Sequence, residues 1–166
     1  MATQDNIIFD FTTNANTSNW RVVDDVVMGG KSNGDFKLNK DGFGEYSGKI
    51  SLENNGGFSS LRYRFKEKSI KGFSKVILKI KGDGKKYQFR IKKDGNDSHS
   101  YISSFSTSGN WQTIEIELSE MYPAFRGRVL DTENLSSDSI EEVAFLIGNK
   151  KEEDFRLLLD KISLEK

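Results

Sequence analysis

Few side chains in this sequence are equipped for acid–base or nucleophilic chemistry near neutral pH. It has one histidine, His99, and no cysteine, which removes thiolate nucleophiles, thiolate metal sites and disulfides from consideration. His99 lies in the polar run Asp94-Gly95-Asn96-Asp97-Ser98-His99-Ser100. Serines abound, but none is expected at the strand-to-helix elbow that a serine nucleophile requires. The same run faintly resembles a calcium loop, yet it lacks the sixth-position glycine, and Phe105 stands where the bidentate glutamate belongs. A hairpin turn carrying an exposed histidine is the expected reading. Gly82-Asp83-Gly84 does not open a helix after a strand, so no dinucleotide fingerprint or P-loop is indicated. Catalysis would have to rest on tuned carboxylates, lysines or tyrosines. No enzyme activity, metal or cofactor is expected.

The residues better suited to binding are charged and aromatic. Trp20-Arg21-Val22-Val23-Asp24-Asp25-Val26-Val27-Met28-Gly29-Gly30-Lys31-Ser32 interrupts an apolar run with two adjacent acids, then stops it with two glycines. Side chains alternate along a strand, so Asp24 and Asp25 cannot share one face of a regular strand. The backbone must depart from regular geometry here, and Gly29-Gly30 supply a turn whose amides could cradle an anion. Ser60, Arg62 and Arg64 share one outward strand face, while Gln88 and Arg90 share another. Arginine offers a planar fork suited to carboxylates. Arg62 could therefore hold a ligand, or pair with Asp24 or Asp25 and pin the loop to the sheet. Trp111 opens a strand in parity with the outward Glu115 and Glu117. It could stack on a sugar or cap the core.

These residues need a scaffold of strands. Ile7 to Phe11, Phe36 to Leu38, and Phe58 to Phe65 read as β from their branched and aromatic content. A strand between them places Tyr46, Ile50 and Leu52 on one face. Val76–Lys81 and Lys86–Lys92 flank Gly82-Asp83-Gly84-Lys85 and read as a hairpin. Opposing Lys81 to Lys86 then pairs Ile80 with Tyr87, Leu78 with Phe89 and Val76 with Ile91. Its outward lysines would repel across the pair, so acids such as Glu115 and Glu117 should come from a neighbouring strand. Val143, Phe145 and Ile147 mark a later strand. Phe155 to Leu164 is apolar on both faces, as for a central covered strand. Residues 134–142 could hold a short helical turn, and no amphipathic helix of more than about three turns is read anywhere. Many short strands with regular turn signals predict an all-β sandwich.

The chain has 166 residues, 35% hydrophobic and 30% charged, with 25 basic residues balancing 25 acidic ones. That length suits a single domain over residues 1–166 with a real core. Balanced charge predicts neither nucleic acid nor a membrane surface as partner. The N-terminal stretch has no signal-peptide pattern, and no apolar run reaches membrane-spanning length. A cytoplasmic protein is the expectation.

The Trp20–Ser32 block, with Gly48-Lys49-Ile50-Ser51-Leu52-Glu53-Asn54-Asn55-Gly56-Gly57-Phe58-Ser59-Ser60-Leu61-Arg62, resembles the complex I intermediate-associated protein family. Gly109-Asn110-Trp111-Gln112, Phe125-Arg126-Gly127-Arg128 and Phe155-Arg156-Leu157-Leu158-Leu159-Asp160-Lys161-Ile162 extend the likeness across nearly the whole chain. The resemblance implies a galactose-binding-domain-like β-sandwich, a jelly roll, and a non-enzymatic module that assists assembly by binding a protein partner. Mitochondrial members of that family assist assembly of respiratory complex I. A carbohydrate-binding module of the same jelly-roll type is the alternative, with a glycan as partner. The candidate binding residues are Asp24, Asp25, Ser60, Arg62, Arg64, Gln88, Arg90 and Trp111.

Overall fold

A computed structural model describes residues 6–24, 30–53, 57–125 and 128–166. The strands are β1 (Ile7–Asp10), β2 (Trp20–Asp24), β3 (Asn33–Leu38), β4 (Gly44–Ile50), β5 (Ser59–Ser69), β6 (Lys75–Lys81) and β7 (Lys86–Lys92). They continue as β8 (Ser100–Ser106), β9 (Trp111–Glu117), β10 (Tyr122–Phe125), β11 (Arg128–Val129), β12 (Ser139–Ile147) and β13 (Glu153–Glu165). A 3-10 turn, Leu118–Glu120, follows β9. Among the described residues there is no α-helix. The all-β expectation holds, and the fold is a jelly-roll sandwich.

One sheet has the order β3-β4-β13-β6-β9, with β1 also pairing β13; the other runs β11-β10-β8-β7-β12-β5-β2. The alternation in each strand sends one set of side chains between the sheets. Val76, Leu78, Ile80, Leu157, Leu159 and Ile162 from the first sheet meet Leu61, Phe89, Ile91, Val143, Phe145 and Ile147 from the second, all fully buried or nearly so. Each such side chain contributes about 1.5–3 kcal/mol on burial. An aromatic cluster closes one end. Trp20 stacks on Tyr63 at 4.8 Å, with Phe9, Phe11 and Phe36 around the indole.

Three expectations are corrected. β6 and β7 do not form a hairpin: β6 pairs β13 and β9, whereas β7 pairs β12 and β8. Every residue expected to point inward does so, but the two rows face each other across the core rather than along one ladder. The link between them is an arch held by Thr107, whose Oγ1 donates to Lys85 O at 2.8 Å and accepts from Gly84 N at 3.0 Å. The acids expected to offset the lysines are in place, since β9 lies beside β6 and Lys75 Nζ meets Glu115 Oε1 at 3.1 Å. Second, no helical turn forms within 134–142; β12 begins at Ser139. A bulge between Ile140 and Glu142 disturbs the two-residue period there. Third, Leu52 is 41% exposed, because β4 ends at Ile50 and Ser51 turns aside to bond Ser32.

Candidate functional site

Asp24 closes β2 and points inward, not toward solvent. Its Oδ1 accepts from Ser59 Oγ at 2.5 Å and its Oδ2 from Gly34 N at 2.9 Å. Tyr46 Oη in turn donates to Ser59 Oγ at 2.7 Å. A Cβ on Gly34 would collide with Ser59 Oγ and stand 2.9 Å from Asp24 Oδ1, so the strands approach this closely only because position 34 is glycine. The expected Arg62–Asp24 pair therefore does not form, since the two side chains leave opposite faces of the sheet. Asp25 and the turn expected at Gly29 lie outside the described residues.

Sheet order brings together what the sequence left apart. β12 lies between β5 and β7, so Ser60, Arg62 and Arg64 share a single outward face with Gln88 and Arg90. The register sets them in rows. One row runs Arg21, Arg62, Ala144, Arg90, Ile102, Tyr122. Beside it lie Val23, Ser60, Leu146, Gln88 and Ser104, and on the other side Arg64, Glu142 and Lys92. Ala144, Ile102 and Leu146 are buried beneath the long cationic stems. They were missed as site-forming residues, though Val143, Phe145 and Ile147 pointing inward already forces Glu142, Ala144 and Leu146 outward.

Hydrogen bonds fix the cations in place. Ser60 Oγ donates to Val23 O at 2.7 Å, and Arg62 Nε donates to Ser60 Oγ at 3.2 Å. Arg90 Nε and Nη2 both donate to Gln88 Oε1, at 3.0 and 2.8 Å. Arg64 differs, reaching the buried carboxylate of Glu142 through Nε at 3.3 Å and Nη2 at 3.1 Å. Lys92 Nζ donates to Asp97 O at 2.7 Å. Burial, then the charge of Arg62, pushes Arg90 down to about 10, with Tyr122 partly opposing. Burial also lowers Lys92, with Glu142 opposing and Arg62 and Arg64 adding to the fall. Over these rows the described residues supply Arg21, Arg62, Arg64, Arg90 and Lys92 against Glu142 alone. Arg62 and Arg90 meet no carboxylate within ion-pair distance among the described residues.

Trp111 is not part of this face. It sits on β9 of the other sheet, 43% exposed, with its ring 4.6 Å from Phe43. The pair walls a shallow groove of about 250 Å³ that Lys79, Gln112, Thr113 and Asp160 complete. Its outward parity is as expected, and it does not cap the core.

His99 lies 5.4 Å from the Tyr101 ring, in the loop joining the antiparallel β7 and β8. Gly30-Lys31-Ser32-Asn33-Gly34 has nucleophile-elbow spacing, but it runs into β3 rather than a helix. Ser32 is buried there, and its Oγ accepts from Ser51 N at 2.9 Å. Among the described residues no three acidic, histidine or cysteine side chains are grouped to hold a metal ion. No helix among them is long and apolar enough to cross a membrane.

Comparison with known proteins places these features in context. The family described as complex I intermediate-associated protein 30 (CIA30) matches residues 9–159. The mouse protein named complex I intermediate-associated protein 30, mitochondrial (Mus musculus), is 25% identical over 97% of this chain and 56% of its own length. The chain thus spans about half of that relative. The uncharacterized protein C9E9.15 of Schizosaccharomyces pombe is 30% identical, over 94% of this chain and 82% of its own. Among solved structures, the family 11 carbohydrate-binding module of Clostridium thermocellum, in complex with a beta-1,3-1,4-mixed-linked tetrasaccharide, superposes with a TM-score of 0.72. It is 20% identical, with 96% of this chain and 94% of the module covered. At that identity the likeness concerns the fold. The mouse relative's name places that protein in the mitochondrion, so the relatives lend the cytoplasmic expectation no support.

Proposed function

This chain belongs to the complex I intermediate-associated protein 30 family, and from that premise we propose that it is a non-catalytic assembly-factor domain. It holds a protein partner on the outward face of the seven-stranded sheet, with residues 1–166 acting as one binding unit. The observation that carries this reading is convergence. Ser60, Arg62 and Arg64 from one segment, and Gln88 and Arg90 from another, meet on one face through the intervening β12. An extended, hydrogen-bonded array on rigid strands suits recognition of another surface.

The test is affinity capture from the native cell with the wild-type chain and with Gln88→Trp, which places bulk at the centre of the face. Proteins retained by the first and lost by the second are the expected result. An unchanged captured set, with the variant folded by circular dichroism, rules out this face. Catalysis is tested separately: turnover by the purified chain, abolished by one substitution on this face, would end the non-enzymatic reading.

A second reading has its own observation. The exposed Phe43–Trp111 pair over a polar groove has the character of a platform for a sugar ring. A glycan array probed with wild-type and Trp111→Ala chains decides it, by binding that disappears with the indole.

A further inference from the structure

Arg62 and Arg90 present an unusual electrostatic situation for a folded sheet. Like charges brought together on one face are unfavourable, and proteins ordinarily answer them with carboxylates from neighbouring strands. On the other sheet that answer is present: Lys75 meets Glu115, Lys79 meets Asp160 and Arg156 meets Glu45. On this face Glu142 answers Arg64. Among the described residues, Arg62 and Arg90 receive only neutral oxygens, from Ser60 and Gln88.

The register places them on the same row, separated by Ala144 on β12. Two inter-strand spacings put their Cα atoms roughly 9–10 Å apart. The small alanine leaves the space between the two stems free of any long side chain. Each guanidinium uses its Nε on a neighbour within the same strand, which turns the plane of the fork and fixes its orientation in advance. Nη1 of Arg90 and both terminal nitrogens of Arg62 carry no hydrogen bond to the described residues. Charge complementarity then selects the occupant: a group bearing anionic oxygens, extended enough to reach both forks at once.

We propose that Arg62 and Arg90 form a two-pronged seat for an acidic segment of a protein partner, whose carboxylates bridge the guanidinia above Ala144. Arg21 and Lys92 stand beside the seat as an outer cationic rim. Val23 and the half-buried Tyr122 supply apolar contacts to the chain between the acids. The seat rests on the protein-binding reading given above and names the chemistry of that partner. It also accounts for a cost the free protein carries, since Arg90 is both desolvated and repelled by Arg62 until an anion arrives.

The test uses fluorescence anisotropy with a short labelled peptide alternating glutamate and leucine, and with its glutamine-for-glutamate counterpart. The glutamate peptide should bind the wild-type chain at least about tenfold more tightly than the glutamine peptide. Arg62→Gln and Arg90→Gln should each weaken it by about tenfold or more, because a charge-assisted bidentate contact is lost. Lys49→Gln combined with Lys75→Gln, on the opposite sheet, serves as the control for bulk charge and should leave binding within about twofold. Equal binding of the two peptides, no binding of either, or an equal loss in the control would each overturn the seat. Displacement by millimolar inorganic phosphate to the same extent as by free acidic peptide would overturn it too, marking an unspecific anion site. The two levels separate cleanly. If Gln88→Trp abolishes partner capture while both peptides bind alike, the partner face stands and its acidic occupant falls. If the glutamate peptide binds as expected but Gln88→Trp captures the full set, the partner-face reading falls instead.

Discussion

Asp24 and Tyr46 belong to different sheets and meet on one hydroxyl, that of Ser59, which donates to the first and accepts from the second. Asp24 also holds Gly34 N, so the relay joins both sheets at the mouth of β3. Ser59→Ala would strand a buried tyrosine hydroxyl and leave Asp24 Oδ1 without its donor. The expected loss is about 2–3 kcal/mol, read from chemical denaturation midpoints at unchanged slope. A loss below about 0.5 kcal/mol would show that the relay does not hold the sheets together.

Arg62→Ala should leave stability almost unaltered, within about 0.5 kcal/mol, because no carboxylate among the described residues loses a partner. A thermal melt checks this. A drop of several degrees would reveal a structural anchor that the described residues do not supply.

Arg90→Met should hold or raise the melting temperature. The sign follows from the depressed guanidinium: a base whose folded-state pKa lies below its unfolded value costs stability wherever it remains charged, here below about pH 10. Methionine keeps much of the aliphatic stem while removing the repelled charge. A substantial drop in melting temperature at neutral pH contradicts the prediction. Added salt should narrow the gap between the two proteins, since it screens the pair in the wild type.

Arg64→Ala should behave differently from Arg62→Ala. Glu142 is 4% exposed and depends on Arg64 for its ion pair. Arg64 itself is mostly in solvent, which moderates the cost to about 1–2 kcal/mol. Restoring stability with the double substitution Arg64→Ala, Glu142→Gln would locate the loss in the uncompensated carboxylate.

Alkaline pH should unfold the protein through two buried phenols. Burial raises Tyr46, with Asp24 adding to the rise against Ser59, and burial followed by the charge of Asp83 raises Tyr87. An acid held neutral in the fold ionises freely once unfolded, so its contribution is complete below about pH 10 and declines above it. Denaturation midpoints followed from pH 8 to 11 test this, and Tyr46→Phe should flatten part of the decline.

Strand positions and facing were largely legible because alternation is a local property of the chain. Leu61, Tyr63 and Phe65 against Ser60, Arg62 and Arg64 could be read from one segment and proved correct. Which strands lie side by side is not local. Val76, Leu78 and Ile80 satisfy burial equally well against Tyr87, Phe89 and Ile91 in one ladder or across a core, so periodicity alone could not distinguish hairpin from arch. One clue did point to the arch: a hairpin would have set Lys81 against Lys86, and such pairs repel. The face joining Arg62 to Arg90 was invisible for the same reason, since it exists only because β12, which begins 47 residues after β7 ends, slots between β5 and β7. Of the partners open to Asp24 in the sequence, Arg62 is not the one it meets: Ser59 and the backbone of Gly34 satisfy it inside.

The place of β13 governs when this protein can fold during synthesis. It is made after the other described strands, yet it lies at the middle of its sheet, pairing β4 along one edge and β6 along the other and receiving β1 near its end. Until it leaves the ribosome, β4 and β6 have no ladder between them, and Leu78 and Ile80 have no Leu159 or Ile162 beside them. The β3–β4 and β6–β9 ladders can therefore be joined into one sheet only once residues 153–165 are released.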